Sequence, residues 1–332
     1  MSRYLVTGGT GFLGAHLVPL LAERGHEVVA LARRAPETTP PARVTVRLGD
    51  VLDAGSVRDA AAGCDGVFHC AGKVSRRPED AEALYRVHVE GTKIALDACR
   101  EAGVRRADDA STSGVVAVSR EEQVIDERAP APVDLLARWP YYRSKLYAEK
   151  AALDRNDPPR FEVVCINPTL LLGPGDLRDA STGDVVQFLE KKVPFVPAGG
   201  LSFVDVRDTA DAALAAMERG RAGERYLLAA ANMTIEAFFG RLSRVSGVPA
   251  PRLRLPKSVA LAAAGAALLK RAAKHVPIEA PVDRVSAEMA QHFWYVDATK
   301  AKTELGFSPR DPMETLADTV NDLRARGVVW PA

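Results

Sequence analysis

Three things are scarce in this chain of 332 residues: cysteine, with four; net charge, +1 at neutral pH; and long apolar runs, none exceeding the one at 259–269. Each scarcity removes a class of protein. Cys64, Cys70, Cys99 and Cys165 have neither CxxC nor metal-ligand spacing, so no disulfide framework and no metal site is expected. They read as reduced core thiols of a cytoplasmic protein, with Cys70 and Cys165 inside apolar strand-like runs. The 259–269 run is too short for a bilayer span, which takes about 20 residues. A near-zero net charge offers no strong field for nucleic acid or anionic lipid. The first apolar run begins at Tyr4, which leaves no room for a charged and apolar leader. No internal repeat or low-complexity tract is visible, and only 258–273 is biased, toward alanine.

What is present begins immediately. An apolar run (Tyr4, Leu5, Val6) leads into Thr7-Gly-Gly-Thr-Gly-Phe-Leu-Gly14 and then an amphipathic helical stretch, 15–24. A strand, a glycine turn and a helix start are what a dinucleotide pyrophosphate needs. Gly8 permits the tight turn, Gly11 lets the backbone approach the phosphates, Gly14 lets helix and strand pack closely, and the free N–H groups of the helix start meet the anion. Strand-like runs at 27–32, 43–48, 66–70, 106–112 and 161–167 then alternate with helical stretches at 57–62, 79–102 and 141–153. That alternation predicts an α/β protein with a doubly wound parallel sheet of Rossmann type. Beyond Pro168 the rhythm loosens among prolines and glycines. The expected organisation is a dinucleotide-binding domain over 1–167 and, over 168–332, mainly a smaller C-terminal substrate-binding lobe, with segments near 201–230 returning to the first domain.

Tyr141 and Lys145 lie four apart in a helical stretch, so both emerge on one face. A lysine cation beside a phenol favours the phenolate, and the expectation is a lowered tyrosine pKa. Tyr142 and Tyr147 are out of register with Lys145 and read as packing residues.

Taken together, Thr7 to Gly14, Gly49-Asp50-Val51, His69-Cys-Ala-Gly72, Val89-Glu-Gly-Thr92, Ser111-Thr112-Ser113, Tyr141 to Lys145, Asn167-Pro168, Phe203-Val-Asp-Val206 and Leu305-Gly-Phe307 resemble the extended short-chain dehydrogenase/reductases of the NAD-dependent epimerase/dehydratase superfamily. The resemblance implies that Tyr141 gives or takes the proton and that Lys145 binds the nicotinamide ribose and tunes Tyr141. A hydroxyl after the fifth strand would hold the substrate oxygen. Ungapped reading from Gly103 puts it on Thr112, with Ser113 in reserve. Cofactor contacts are implied at Gly8, Gly11, Phe12, Leu13, Gly14, Arg33, Asp50, Val51, Ala71, Gly72, Tyr141, Lys145 and Pro168. Dimers through a four-helix interface are usual among similar proteins, so a homodimer is expected.

Cofactor choice turns on the end of the second strand, where Ala32 is followed by Arg33 and Arg34. An acidic residue there would take the ribose hydroxyls of NAD and repel a 2′-phosphate; two arginines favour NADP(H), with NAD(H) as the alternative. Three departures from the family pattern stand out. His88 replaces the asparagine of Asn-Val-x-Gly-Thr, and a lone histidine on a core-facing helix reads as structural. Asp108-Asp109 interrupt the fifth strand, so either the strand starts late at Ala110, the favoured reading, or the carboxylates pair with arginines such as Arg105 and Arg106. Leu201-Ser202 stand where relatives acting on nucleotide-sugars carry Arg-Asp, which removes a bidentate phosphate clamp.

The segment 167–176 resembles the dihydroflavonol reductase and hydroxysteroid dehydrogenase branch, and its continuation toward Pro256 also resembles hopanoid-associated sugar epimerases. The expectation is an NADP(H)-dependent oxidoreductase interconverting a ketone and a secondary alcohol on a small apolar or lipid-like substrate. A sugar epimerase or dehydratase with retained cofactor is the first alternative, and a non-catalytic NADP(H) sensor the second. The 259–269 run, flanked by Lys257, Lys270, Arg271 and Lys274, reads first as a buried helix of the lobe, with an apolar lid or peripheral membrane contact as the alternatives.

If a guanidinium takes the 2′-phosphate, Arg33→Ala loses about 1.5–3 kcal/mol of NADPH binding, the scale of a hydrogen bond to a charged group. NADH binding stays unchanged. Fluorescence titration of both cofactors checks this, and tighter NADH than NADPH binding by the unmutated protein would sink the assignment.

Overall fold

The computed structural model describes residues 1–35, 39–254 and 284–330. In chain order the strands are β1 (Arg3–Thr7), β2 (Glu27–Ala32), β3 (Val44–Leu48), β4 (Gly66–His69), β5 (Arg106–Ala110), β6 (Val124–Ile125), β7 (Glu162–Pro168), β8 (Leu170–Leu172), β9 (Phe195–Val196), β10 (Gly200–Asp205), β11 (Arg225–Leu228), β12 (Ala231–Thr234), β13 (Leu253–Arg254) and β14 (Tyr295–Val296). Seven of them form one sheet in the order β11-β7-β5-β4-β1-β2-β3, with every pairing parallel. The order reverses between β1 and β4, which opens a crevice beyond the carboxyl ends of the strands.

Both faces of this sheet are apolar and both are covered. Helices α1 (Phe12–Glu23) and α8 (Val206–Arg219) bury Leu13, Leu17, Leu21, Ala213 and Met217 on one face. On the other, α2 (Ala54–Ala61), α4 (Gly91–Glu101) and α6 (Pro140–Leu153), the last two preceded by the short helices α3 (Ala81–Tyr85) and α5 (Val133–Leu136), bury Val57, Ala60, Ala95, Leu96 and Ala152. Cys64, Cys99 and Cys165 are buried free thiols, whereas Cys70 is half-buried just past the end of β4.

A second, three-stranded sheet, β12-β10-β8, is antiparallel at β10·β12 and parallel at β10·β8. It packs with α7 (Gly183–Leu189), α9 (Ile235–Ser246) and the helix Pro312–Ala325 around Phe188, Phe203, Phe238 and Leu316. Within 201–230 the chain visits both sheets: β10 stays in the small one, and β11 pairs with β7 in the large one. The 259–269 run lies outside the described residues.

The late start at Ala110 does not occur. β5 pairs with β7 from Arg106↔Glu162 to Ala110↔Ile166 and with β4 from Gly66↔Arg106 to His69↔Asp109, so Asp108 and Asp109 lie inside the sheet, 2% and 1% exposed. Nor do they hydrogen-bond to arginine. Arg106 donates instead to Glu162 and to the carbonyls of Ala216 and Gly220, Arg105 is exposed, and Asp108 Oδ1 and Asp109 Oδ2 have no hydrogen-bond partner. The reason is that ladder bonds belong to the backbone. Apolar strands on either side hold the register whatever side chain β5 carries. The carboxyls respond by holding their protons to higher pH. Burial, with Asp109 adjacent, pushes Asp108 well above the carboxylate range, and burial lifts Asp109 to about 6 against the pull of Lys145.

The sign of the stability effect follows. Because the native state holds the Asp109 proton more tightly than the unfolded chain, stability falls as pH rises from the unfolded carboxyl value through about 6 and stays lower above it. For Asp109 the loss is about 3 kcal/mol. The double variant Asp108→Val/Asp109→Val is expected to exceed the parent in stability at pH 7.5, with the gap shrinking toward pH 4. Urea unfolding across that range checks it; a gap independent of pH would show that the carboxyls do not titrate as stated.

Candidate active site

Every strand end that the sequence points to reaches the same crevice. The Gly8–Gly14 turn follows β1, Arg33 follows β2, Asp50 and Val51 follow β3, Ala71 and Gly72 follow β4, Thr112 follows β5, and Pro168 ends β7. Parallel register aligns these ends on one rim.

At the β1 end three backbones meet. Gly8 has φ +70°, and a Cβ there would sit 2.7 Å from the backbone of Cys70 and Ala71; a Cβ on Gly14 would run into the Gly8 carbonyl. Gly11 donates its N–H to Gly8 O at 2.8 Å and begins α1 in an extended conformation with no side-chain cap. A Cβ on Gly11 would meet only Gly8 O, at 3.1 Å, and otherwise open space. The first-turn N–H groups of α1, on Phe12, Leu13 and Gly14, therefore face a bare cradle suited to a pyrophosphate. Thr7 fixes its floor: its hydroxyl accepts from Ala71 N at 3.3 Å and meets His69 Nδ1 at 2.9 Å, and His69 Nε2 meets Thr92 Oγ1 at 3.1 Å. Burial pushes His69 down to about 3, so the ring is neutral. Arg33 and Arg34 are exposed beside the buried Ala32. Asp50 Oδ1 accepts from Leu52 N at 3.0 Å, which orders the turn after β3.

At the other end of the crevice α6 presents Tyr141, Lys145 and Glu149 as one stripe, following Pro140 at its first turn. Lys145 is 7% exposed and its Nζ donates to Ala110 O, at the end of β5, at 2.7 Å. Thr112 is half-buried; its Oγ1 accepts from Gly114 N at 3.4 Å and its carbonyl accepts from Asn167 Nδ2 at 3.1 Å. Ser113 and Ser111 are more deeply buried, at 4% and 6% exposure. The expectation of a lowered tyrosine pKa does not describe the protein by itself: burial, with the Tyr142 phenol beside it, pushes Tyr141 above its ordinary range. Desolvation disfavours the phenolate, and the Lys145 hydrogen bond goes to the β5 carbonyl rather than to the phenol.

His88 turns out to brace this pair. It sits in a π-helical turn, Arg86–Glu90, and packs its ring edge-on against Tyr141, centroids 5.6 Å apart. Lys73 N donates to Nε2 at 3.1 Å, which leaves the proton on Nδ1 to be donated to Ser144 Oγ at 2.8 Å; Ser144 in turn donates to Tyr141 O at 2.8 Å. Burial, helped by the Lys145 charge, pushes His88 down to about 2 and keeps it a neutral strut.

Two further features escape sequence reading. Tyr142, Trp139 and Trp294 form an aromatic wall next to Tyr141, with Tyr142 and Trp294 centroids 4.8 Å apart. Trp294 arrives from beside β14, which pairs with β6, so only the folded chain assembles the wall. Arg76, in the loop after β4, makes a two-pronged ion pair with Asp184 of α7, at 2.8 and 2.7 Å. Tyr147, expected to pack, is instead 49% exposed. Glu149 was within reach of sequence reading, since it continues the spacing of Tyr141 and Lys145. It is 1% exposed, accepts from Asn167 Nδ2 at 2.5 Å and pairs with Arg225 at 2.8 Å. Among the described residues no group of three or more His, Cys, Asp or Glu is arranged to hold a metal ion.

Comparison with known proteins agrees with this geometry. The NAD dependent epimerase/dehydratase family matches residues 4–229. A candidate dihydroflavonol 4-reductase of Synechocystis sp. is 34% identical, covering 98% of this chain and 96% of its own length. Sterol demethylase protein B of Methylococcus capsulatus is 32% identical, covering 98% and 99% respectively. Among solved structures, gox2253 superimposes with a TM-score of 0.82 at 27% identity, covering 99% of this chain and 100% of the other.

Ser144→Ala would leave the buried Nδ1–H of His88 without an acceptor. The expected loss is about 1–3 kcal/mol of stability, read by equilibrium urea unfolding. A loss below about 0.5 kcal/mol would mean that the His88–Ser144 bond contributes nothing net.

Proposed function

The chain belongs to the NAD dependent epimerase/dehydratase family and is an NAD(P)-dependent oxidoreductase of the extended short-chain dehydrogenase/reductase type; from that premise we propose that it uses NADP(H) to interconvert a ketone and a secondary alcohol on a small apolar or lipid-like substrate. The observation that carries the reading is the aromatic wall of Trp139, Tyr142 and Trp294 beside Tyr141. Its half-buried members, Tyr142 and Trp294, offer contact area and no charge, and Trp139, 1% exposed, packs against both. Leu201 is half-buried against the core of the C-terminal lobe, and Ser202 is 2% exposed with its hydroxyl on Ala231 O, so this pair supplies no diphosphate clamp. Arg76, whose charge acts on Tyr142, is matched by Asp184, which acts on it with the opposite sign.

Residues 1–167 would bind the cofactor and 168–332 mainly the substrate. The bare cradle over Gly11 fits a pyrophosphate, and exposed Arg33 and Arg34 suit a 2′-phosphate. Bound there, the nicotinamide supplies or accepts a hydride at the carbonyl carbon. Thr112 and Tyr141 hold the substrate oxygen by hydrogen bonds, Tyr141 moves its proton, and Lys145 orients the nicotinamide ribose and stabilises the phenolate that remains. His88 and Ser144 fix the turn of α6 that aims Tyr141.

The family also contains epimerases and dehydratases, which return the hydride to their own intermediate. An NADP(H) sensor is disfavoured by the intact Tyr141 and Lys145. Exposed Tyr85 and Tyr147, which line one shallow groove with Val89 and Lys93, support pairing of two copies through α4 and α6. Among the described residues no helix is long and apolar enough to cross a membrane; a cytoplasmic location is part of the proposal.

The decisive measurement is cofactor balance against steroid, flavonoid-like and alkyl ketones alongside UDP-sugars. Net oxidation of NADPH with apolar ketones is expected, one per product. Tyr141→Phe should slow it by about 10²–10⁴-fold, the usual worth of general acid–base catalysis, while sparing cofactor binding. Epimerised sugar without net NADPH loss would overturn the reading in favour of the epimerase.

A further inference from the structure

Beneath the reactive pair lies a carboxyl that the mechanism above does not use. Asp109 stands one residue before the end of β5, and its register partners are His69 on β4 and Cys165 on β7, the latter paired in turn with Arg225 on β11. α6 lies over this row. Its Lys145 is bonded to the carbonyl of Ala110, one peptide beyond Asp109, and its Glu149 is held by Asn167 and Arg225. Asp109 is 1% exposed, and its Oδ2 has no hydrogen-bond partner.

The charges around it are few. β4 contributes neutral His69 and, just past its end, the Cys70 thiol, which burial pushes up. From β7 comes Cys165, pushed up in the same way. Arg225 on β11 is already matched to Glu149, and Asp108 on the same strand keeps its proton. Two charges on α6 therefore act on Asp109: the Lys145 cation, which pulls it down, and the Glu149 carboxylate, itself paired with Arg225, which pushes it up.

We propose that Asp109 is a positioning residue that acts through Lys145: its carboxyl sets how much positive charge reaches the Tyr141 phenol, so carbonyl reduction runs faster with Asp109 protonated than ionised. This rests on the reading of Tyr141 and Lys145 as the reactive pair. In reduction the phenol gives up its proton and becomes a phenolate, which the field of Lys145 stabilises. An anion beside Lys145 cancels part of that field in a low-dielectric interior where little else screens it. The switch falls in a useful range, because burial lifts Asp109 to about 6. An aromatic or aliphatic side chain at this position would fill the space without coupling the site to pH.

Two measurements test it. In the ligand-free protein, infrared pH titration should show a carboxyl band with a midpoint near 6, absent from Asp109→Asn and moved to higher pH in Lys145→Met, where the cation that holds it down is gone. Asp108→Asn should leave that midpoint in place. In turnover, the parent's kcat for reduction should fall about 3- to 10-fold across the midpoint, a fraction of what acid–base catalysis commonly carries. Asp109→Asn should hold the low-pH rate through neutral pH, and Asp109→Glu should restore the fall. An infrared midpoint unmoved in Lys145→Met, or a parental pH profile retained in Asp109→Asn, overturns the proposal. If no carbonyl compound is reduced, the reductase reading falls, while the infrared comparison, made without substrate or cofactor, still decides whether Asp109 and Lys145 are coupled.

Discussion

The closeness of three backbones at the end of β1 is the constraint on which the rest of the structure depends. Gly8 lies against the chain at Cys70–Ala71, and Gly14 lies against Gly8, with no space for a side chain at either. That contact sets how near α1 comes to the sheet and keeps its first N–H groups bare. It also joins β1 to β4, the two strands between which the sheet order reverses. Once those two are placed, parallel pairing carries the alignment outward through β5 to β7, and the hydroxyl of Thr112 and the stripe on α6 end on the same rim as the glycine turn. A larger residue at either glycine would move one component and, through the register, all of them.

A second layer of polar groups works under that rim. Thr7, His69 and Thr92 tie the glycine turn to β4 and α4; Lys73, His88 and Ser144 tie the loop after β4 to α6; Asn167, Glu149 and Arg225 tie α6 to β7 and β11. All three chains cross between elements far apart in sequence. Each substitutes hydrogen bonds for apolar packing where a cofactor and substrate would demand fixed directions. The two histidines can take part because burial keeps them neutral, each ring able to donate through one nitrogen and accept through the other.

Sequence reading succeeded where a local pattern has one physical cause. The span 27–32 is β2 to the residue, since apolar side chains on both faces admit only a doubly covered strand. It slipped where the cause is not a pattern of apolarity. The α2 helix starts at Ala54 rather than Val57 because Asp53 caps Gly55 N, a signal carried by one side chain. The helical stretch read as 79–102 is broken by the π turn that carries His88, and nothing in the local composition marks a change from four- to five-residue hydrogen bonding. Asp108 and Asp109 misled for the opposite reason: their chemistry argued against a strand, yet backbone pairing with apolar neighbours decided the matter.

The site shows the same division. The placement of Gly8 to Gly14, Tyr141 and Lys145 was legible because each pattern is a spacing within one turn or one helix. The aromatic wall was not, since Trp139 and Trp294 are brought together by β14 joining β6, and no local spacing encodes that contact. The Arg76–Asp184 pair likewise joins a loop of the large sheet to a helix of the small lobe. On the function proposed above, these long-range pieces would serve the substrate rather than the cofactor. The cofactor half of such a site answers to one invariant ligand and is written in compact motifs, whereas the substrate half is assembled by tertiary contacts, so the reaction type can be read from a chain like this one well before the molecule it acts on.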